Sequence, residues 1–152
     1  MTEPTANQVQ FRLERIYLKD LSFENPASPE IFLKNWSPKV NMDIQTRTKK
    51  LEGSAHEVVL EIELQAKQDD KPIFLVSLQQ AGIFSVEGAA DEVLGKVLHT
   101  TCPAILFPYA REVVDSCVVK GSLPPMLLSP INFEALYANS KKKDTAAKNS
   151  HN

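Results

Sequence analysis

The segment "HEVVLEIELQAKQDDKPIFLVSLQQAGIFSV", residues 56–86, decides the fold. Val58, Leu60, Ile62, Leu64 and Ala66 alternate with Glu57, Glu61 and Glu63, so the apolar set shares one face of a strand and the acidic set the other. "QDDK" (68–71) supplies hairpin turn residues. The next strand puts Phe74, Val76 and Leu78 on one side and Ile73, Leu75 and Ser77 on the other, so both its faces are substantially apolar. A strand that is apolar on both sides needs cover on both.

Working upstream, "WSPKVNMDIQT" (36–46) alternates cleanly, with Trp36, Val40, Met42 and Ile44 against Lys39, Asn41, Asp43 and Gln45. In "VQFRLERIYLKD" (9–20) the apolar phase changes between Leu13 and Ile16, as a bulge near Glu14 and Arg15, or a strand apolar on both sides, would produce. Pro26 and Pro29 mark the intervening "ENPASPEIF" as a loop. Four strands with hairpin-like connections predict an antiparallel meander in an α+β domain.

Downstream of Gly88 the period lengthens. "AADEVLGKVLHT" (89–100) predicts a short helix from about Asp91 that stops before "CP", because a residue preceding proline is pushed out of the helical region. Pro103 suits the first turn of a second helix. Pro108 falls inside it, so a kink is expected, with Leu106, Tyr109, Val113 and Cys117 as the apolar stripe and Gly121 as the stop. "SLPPMLLSP" (122–130) can be neither helix nor central strand. "NFEALYANS" (132–140) predicts a last short helix capped by Asn132.

Length and charge bound the function. A chain of 152 residues fits one domain: 1–8 as a flexible N-terminus, 9–138 as the domain and 139–152 as a disordered basic tail. No apolar run reaches the roughly 18 residues of a membrane span, and the first residues lack a signal-peptide pattern, so a cytoplasmic location without membrane insertion is expected. Four lysines against one aspartate make the tail +3, which leaves −5 for the rest of a chain of net charge −2. An acidic body argues against nucleic acid as the main partner.

Cys102 and Cys117 read as reduced core thiols. There is no G-x-S-x-G and no H-E-x-x-H, and "GAADEVLGKV" (88–97) lacks P-loop spacing. His99 and Cys102 form an H-x-x-C pair without further ligands, while His56 and His151 are isolated. No enzyme, catalytic residue, metal site or cofactor is indicated. What stands out is a surplus of apolar surface: a two-faced strand, a strand that changes phase and a greasy extended loop, more than one subunit buries once. Two apolar surfaces are expected, one for self-association and one for other ligands.

Four motifs in fixed order, "RIYLKDLSFE" (15–24), "QQAGIFSV" (79–86), "CPAILFPYARE" (102–112) and "LLSPINFEALY" (127–137), closely resemble the SecB family of protein-export chaperones. The resemblance runs from about Val9 to Tyr137. It implies a four-stranded sheet covered by a kinked helix and a C-terminal helix, assembled as a homotetrameric dimer of dimers without enzymatic activity. It further implies an ATP-independent holdase that binds unfolded precursor proteins and delivers them to the SecA ATPase. The SecA-binding positions carry over to Asp20, Glu24 and Leu75, whereas a third family acid is replaced by Ser77, so weaker or relocated contact is expected there. Glu57, Glu61 and Glu63 are candidates to add charge. The client-binding positions carry over to Trp36, Val40, Met42, Ile44, Leu123, Met126, Leu128 and Tyr137. The oligomer interface carries over to Val76, Leu78, Gln80 and the "FPY" element, Phe107, Pro108 and Tyr109. For Val40, Met42, Ile44 and Val76, ordinary core is the competing reading. The alternatives in function are a SecB-like chaperone serving a toxin–antitoxin system and a carrier of small apolar ligands.

Overall fold

Two tight turns set the sheet. A computed structural model describes the backbone of residues 8–149, with side chains up to residue 143. The strands are β1 (Gln10–Glu24), β2 (Lys39–Lys50), β3 (Ala55–Gln68) and β4 (Lys71–Glu87). Asp69 and Asp70 both have positive φ, 54° and 61°, the conformation that lets a two-residue turn match the twist of its flanking strands. The β2–β3 turn uses Gly53 at φ 64°. Strands β2, β3 and β4 thus form the expected meander. β1 joins from the far side, giving the order β1-β4-β3-β2, which is a Greek-key connection. Local patterning could not distinguish this from a simple up-and-down order, because either edge of the meander was available to β1.

β1 carries two register shifts, one between Leu13 and Arg15, as expected, and a second between Leu18 and Asp20. Each extra residue reverses the side-chain alternation. Phe11, Leu13, Ile16, Leu18, Leu21 and Phe23 pair with Val86, Phe84, Gly82, Gln80, Leu78 and Val76, so all six lie on one face.

The helices α1 (Asp91–His99), α2 (Thr101–Lys120) and α3 (Phe133–Asn149) follow. Thr100, between the first two, donates its hydroxyl to the Lys96 carbonyl at 2.6 Å. Pro103 occupies the first turn of α2 and Pro108 lies within it. Pro108 removes one backbone donor, while Phe107 and Ala110 on either side of the exposed Pro108–Tyr109 pair remain in the core. The buried stripe of α2 runs Leu106, Ala110, Val114 and Val118, with Cys117 beside it. That is an i+4 track, so Tyr109 and Val113 fall to its side instead of on it. Both cysteines are free and buried, and burial pushes the Cys102 thiol up to about 12.

α2 lies over the apolar faces of β3 and β4, and Phe74, Phe84, Leu60, Ile62 and Leu106 are among the fully buried side chains there. Gly82 makes the approach possible. A β-carbon at this position would stand 3.1 Å from Leu106 Cδ2, 2.8 Å from Phe84 Cε2 and 3.0 Å from the Arg15 carbonyl oxygen.

The stretch from Gly121 to Asn132 is irregular, as expected. Asn132 caps α3, accepting from the Ala135 amide at 3.0 Å. The helix then continues to Asn149, beyond the short helix expected over 132–140 and into the tail expected to be disordered. The stretch "KKKDTAAKN" contains no breaker and is rich in lysine and alanine, both good helix formers. Residues 1–7 and 150–152, and with them nearly all of the expected flexible N-terminus, lie outside the described residues. Among the described residues no helix is long and apolar enough to cross a membrane.

Candidate functional site

The two faces of the sheet differ in what covers them. The face away from the helices carries Asp20, Ser22 and Glu24 of β1, opposite Gln79, Ser77 and Leu75 of β4. Next come Glu61, Glu63 and Gln65 of β3, then Gln45, Asp43 and Asn41 of β2. Alternation alone places these twelve side chains together. Glu24, Asp43, Glu63, Leu75 and Ser77 line one concavity of about 330 Å³, in which Leu75 is half-buried and the others are exposed.

Charge on this face is segregated. Arg12 pairs with Glu14 at 2.8 Å, Lys19 with Glu57 at 3.0 Å, and Arg47 with Glu61. Glu57 also accepts the Tyr17 phenol; this bond, then Lys19, holds its carboxyl below the usual range. Desolvation, then Glu57, pushes Tyr17 up to about 12. Glu61 accepts from Gln79 Nε2 at 3.1 Å as well. Of the three β3 acids expected to add charge, Glu57 and Glu61 are therefore neutralised by local cations. Among the described residues Asp20, Glu24, Asp43 and Glu63 take part in no ion pair.

On the helix-covered face, α2 protects β3 and β4 but leaves the outer strands partly open. Val40 and Met42 of β2 point to this side, paired with Ala66 and Leu64, and each stays 36% exposed. Ile44, one pair further, lines a cavity of about 340 Å³ together with Thr46, His99, Phe133, Leu136 and Tyr137. Two aromatic contacts hold α3 against this cavity. Phe133 meets Phe107 edge-on at 6.1 Å, and Tyr137 stacks on His99 at 5.6 Å. His99 is itself oriented by donating from Nδ1 to the Gly95 carbonyl at 2.9 Å.

Of the expected client-binding residues, the cavity brings together Ile44 and Tyr137, and Val40 and Met42 extend it along β2. Trp36, Met126 and Leu128 are half-buried against the core. Leu123, expected to bind clients from the crossover loop, is only 5% exposed and belongs to the core. Its neighbour Leu127, absent from the sequence candidates, is 78% exposed at φ 47°. Phe133 and Leu136 were also missed, although Phe133, Leu136 and Tyr137 stand at i, i+3 and i+4, which was the available signal. Nothing in the sequence marked His99 as a cavity residue.

A family model for "Preprotein translocase subunit SecB" matches residues 4–144. The chain belongs to the SecB family. It is 49% identical over 139 residues to the protein-export protein SecB of Hahella chejuensis, covering 91% of this chain and 87% of that one. It is 53% identical over 129 residues to the SecB of Ectopseudomonas mendocina, covering 85% and 80%. In fold it is similar to a SecB-like chaperone of Mycobacterium tuberculosis solved in complex with an antitoxin peptide, with a TM-score of 0.66 at 18% identity, over 80% of this chain and 91% of that one. Family membership makes the protein a protein-export chaperone.

The residues carried over from SecB for oligomer contact divide in two. Val76, Leu78 and Gln80 face α2 and are buried within the single chain, and Gln80 Nε2 donates to the Tyr17 carbonyl at 3.1 Å. Phe107 is buried beside them. None of these four has surface to offer a second copy; the ordinary core reading accounts for them. Pro108 and Tyr109 project outward on α2. The open apolar surface is instead on β1, where Phe11, Leu13, Leu18 and Leu21 stay exposed because α2 does not reach the edge.

Proposed function

We propose that this SecB-family chaperone holds unfolded precursor proteins in the groove bounded by β2, the crossover loop 121–132 and α3, and docks the SecA ATPase on the opposite, acidic face of the sheet. One observation carries the reading: a single sheet with uncovered apolar side chains on one side and, on the other, carboxylates that have no cation partner among the described residues. Apolar burial is non-directional, at roughly 25 cal/mol per Å², so the groove side can accept many sequences. Met42 and Met126 add adaptable contact. The acidic side suits a basic partner segment whose capture weakens with salt. Self-association is assigned to the exposed stripe of β1 with Pro108 and Tyr109 of α2; β1 is also an edge strand of 15 residues, whose unpaired backbone groups offer a second copy a further place to pair. A cytoplasmic location goes with this reading. The antitoxin-linked alternative, in which Ser77 and the basic tail would be meaningful, has beside it only a fold likeness at 18% identity and is not adopted.

The test separates the surfaces. Asp20→Lys combined with Leu75→Gln abolishes SecA binding in calorimetry and spares suppression of client aggregation. Loss of both activities, or of neither, contradicts the assignment. Light scattering at about 68 kDa, four times the 16.9 kDa chain, supports the tetramer, and a stable monomer refutes it.

A further inference from the structure

Trp36, the one tryptophan of the chain, stands just outside the sheet, since residues 35–38 lie in no helix or strand. The β2–β3 ladder ends at the pair Lys39–Lys67, and the residue before it, Pro38, has no N–H with which to extend it. The side chain of Gln68, the last residue of β3, takes over from the ladder. Its Nε2 donates to the Asn35 carbonyl at 2.8 Å, and its Oε1 accepts from the Ser37 amide at 2.9 Å. Those two groups belong to the peptide planes on either side of Trp36, so one amide fixes both planes and with them the backbone angles of Trp36. Gln68 is anchored in turn, paired with Lys71 across the tight Asp69–Asp70 turn. The chemistry is specific to an amide, which carries a donor and an acceptor at the same end; a carboxylate cannot donate and an ammonium cannot accept. The indole so held is half-buried against the core cluster on which Met126 and Leu128 of the crossover loop also pack.

We propose that Gln68 is a positioning residue for client binding: its side-chain amide clamps the backbone around Trp36 and so presents the indole as a fixed apolar wall at the β2 end of the groove. The inference rests on the groove reading above and adds a residue outside the apolar set that forms the groove. A wall fixed before the client arrives costs less ordering on binding than one that must be fixed by it.

The experiment uses the full chain, fluorescence anisotropy with a dye-labelled peptide rich in Leu and Phe and too short to span two grooves, and the emission of Trp36. Gln68→Met keeps the length of the side chain and removes both hydrogen bonds. It weakens peptide binding about fivefold and shifts the emission of Trp36 to the red in the absence of peptide, while the urea midpoint stays where it was. In a Trp36→Ala background the same substitution changes affinity less than about 1.5-fold, because Gln68 acts through the indole. If the unmodified chain binds the peptide and Gln68→Met binds it equally well, the clamp has no part in binding and the groove reading survives. A loss of affinity that is as large without Trp36 as with it, or that follows a fall in the urea midpoint, makes Gln68 a general structural residue and overturns the inference. If the unmodified chain does not bind the peptide, the groove reading itself fails and the clamp with it.

Discussion

Leu127 is the residue whose replacement most directly separates folding from function. It is held at φ 47°, in the left-handed region, with 78% of its surface exposed. That conformation costs an L-residue roughly 1–2 kcal/mol, and asparagine tolerates it best after glycine. Fully burying a leucine is worth about 1.5–3 kcal/mol, so with a fifth of its surface covered Leu127 contributes only about 0.3–0.6 kcal/mol to its own fold. Leu127→Asn should therefore leave stability unchanged or raise it by up to about 1 kcal/mol. The remaining four-fifths, about 1.2–2.3 kcal/mol, is available to a bound client, so affinity for a short unfolded peptide should fall about 7- to 50-fold. Urea denaturation gives the first quantity. Fluorescence anisotropy with a peptide short enough to occupy one groove gives the second without avidity. A variant that loses more than about 1 kcal/mol of stability, or binds the peptide unchanged, would refute the reasoning.

Two further predictions concern the scaffold. Gly82→Ala should lower stability by about 1–3 kcal/mol, seen as a lower urea midpoint, because one of the atoms it meets is the backbone oxygen of Arg15, which cannot rotate away. The Tyr17–Glu57 bond should make stability pH-dependent in two limbs. Glu57 has a depressed folded pKa, so its contribution is present above the ordinary 4.5 and lost as pH falls through the folded value. Tyr17 is raised, so its contribution is present below the ordinary 10.0 and lost as pH climbs to about 12. Tyr17→Phe should be less stable than the unmodified chain between these limits, approach it in acid as Glu57 protonates, and lack the alkaline limb, where burial of the ionised phenol weighs on the unmodified chain alone. A difference between the two that persists unchanged below the Glu57 transition would rule the bond out as its source.

Strand and helix identities were legible because they depend on local repeat. The period-2 runs in β2, β3 and β4, the Asp-Asp turn, the stop before Pro103 and the Asn132 cap all act within a few residues of where they are written. The second bulge in β1 was not legible: Leu18 and Leu21 are an odd number apart, and the sheet places them on one face only by leaving Lys19 out of register. The run of α3 to Asn149 was not legible, because low apolar content reads as disorder even where lysine and alanine favour a helix.

For the binding surfaces the division follows from what each depends on. Asp20 and Glu24 share a face by counting, and so do Glu57, Glu61 and Glu63; the amino-acid order suffices for that. Which of those carboxylates keeps its charge free is a matter of neighbours brought from 14 to 40 positions away, Arg47 to Glu61 and Tyr17 to Glu57. Likewise the order of residues determined that Val76, Leu78, Val40 and Met42 are apolar and inward-pointing. Only the placement of α2 over the inner strands decided that the first two are core and the last two are open to a ligand, because a single helix is too narrow to cover four strands.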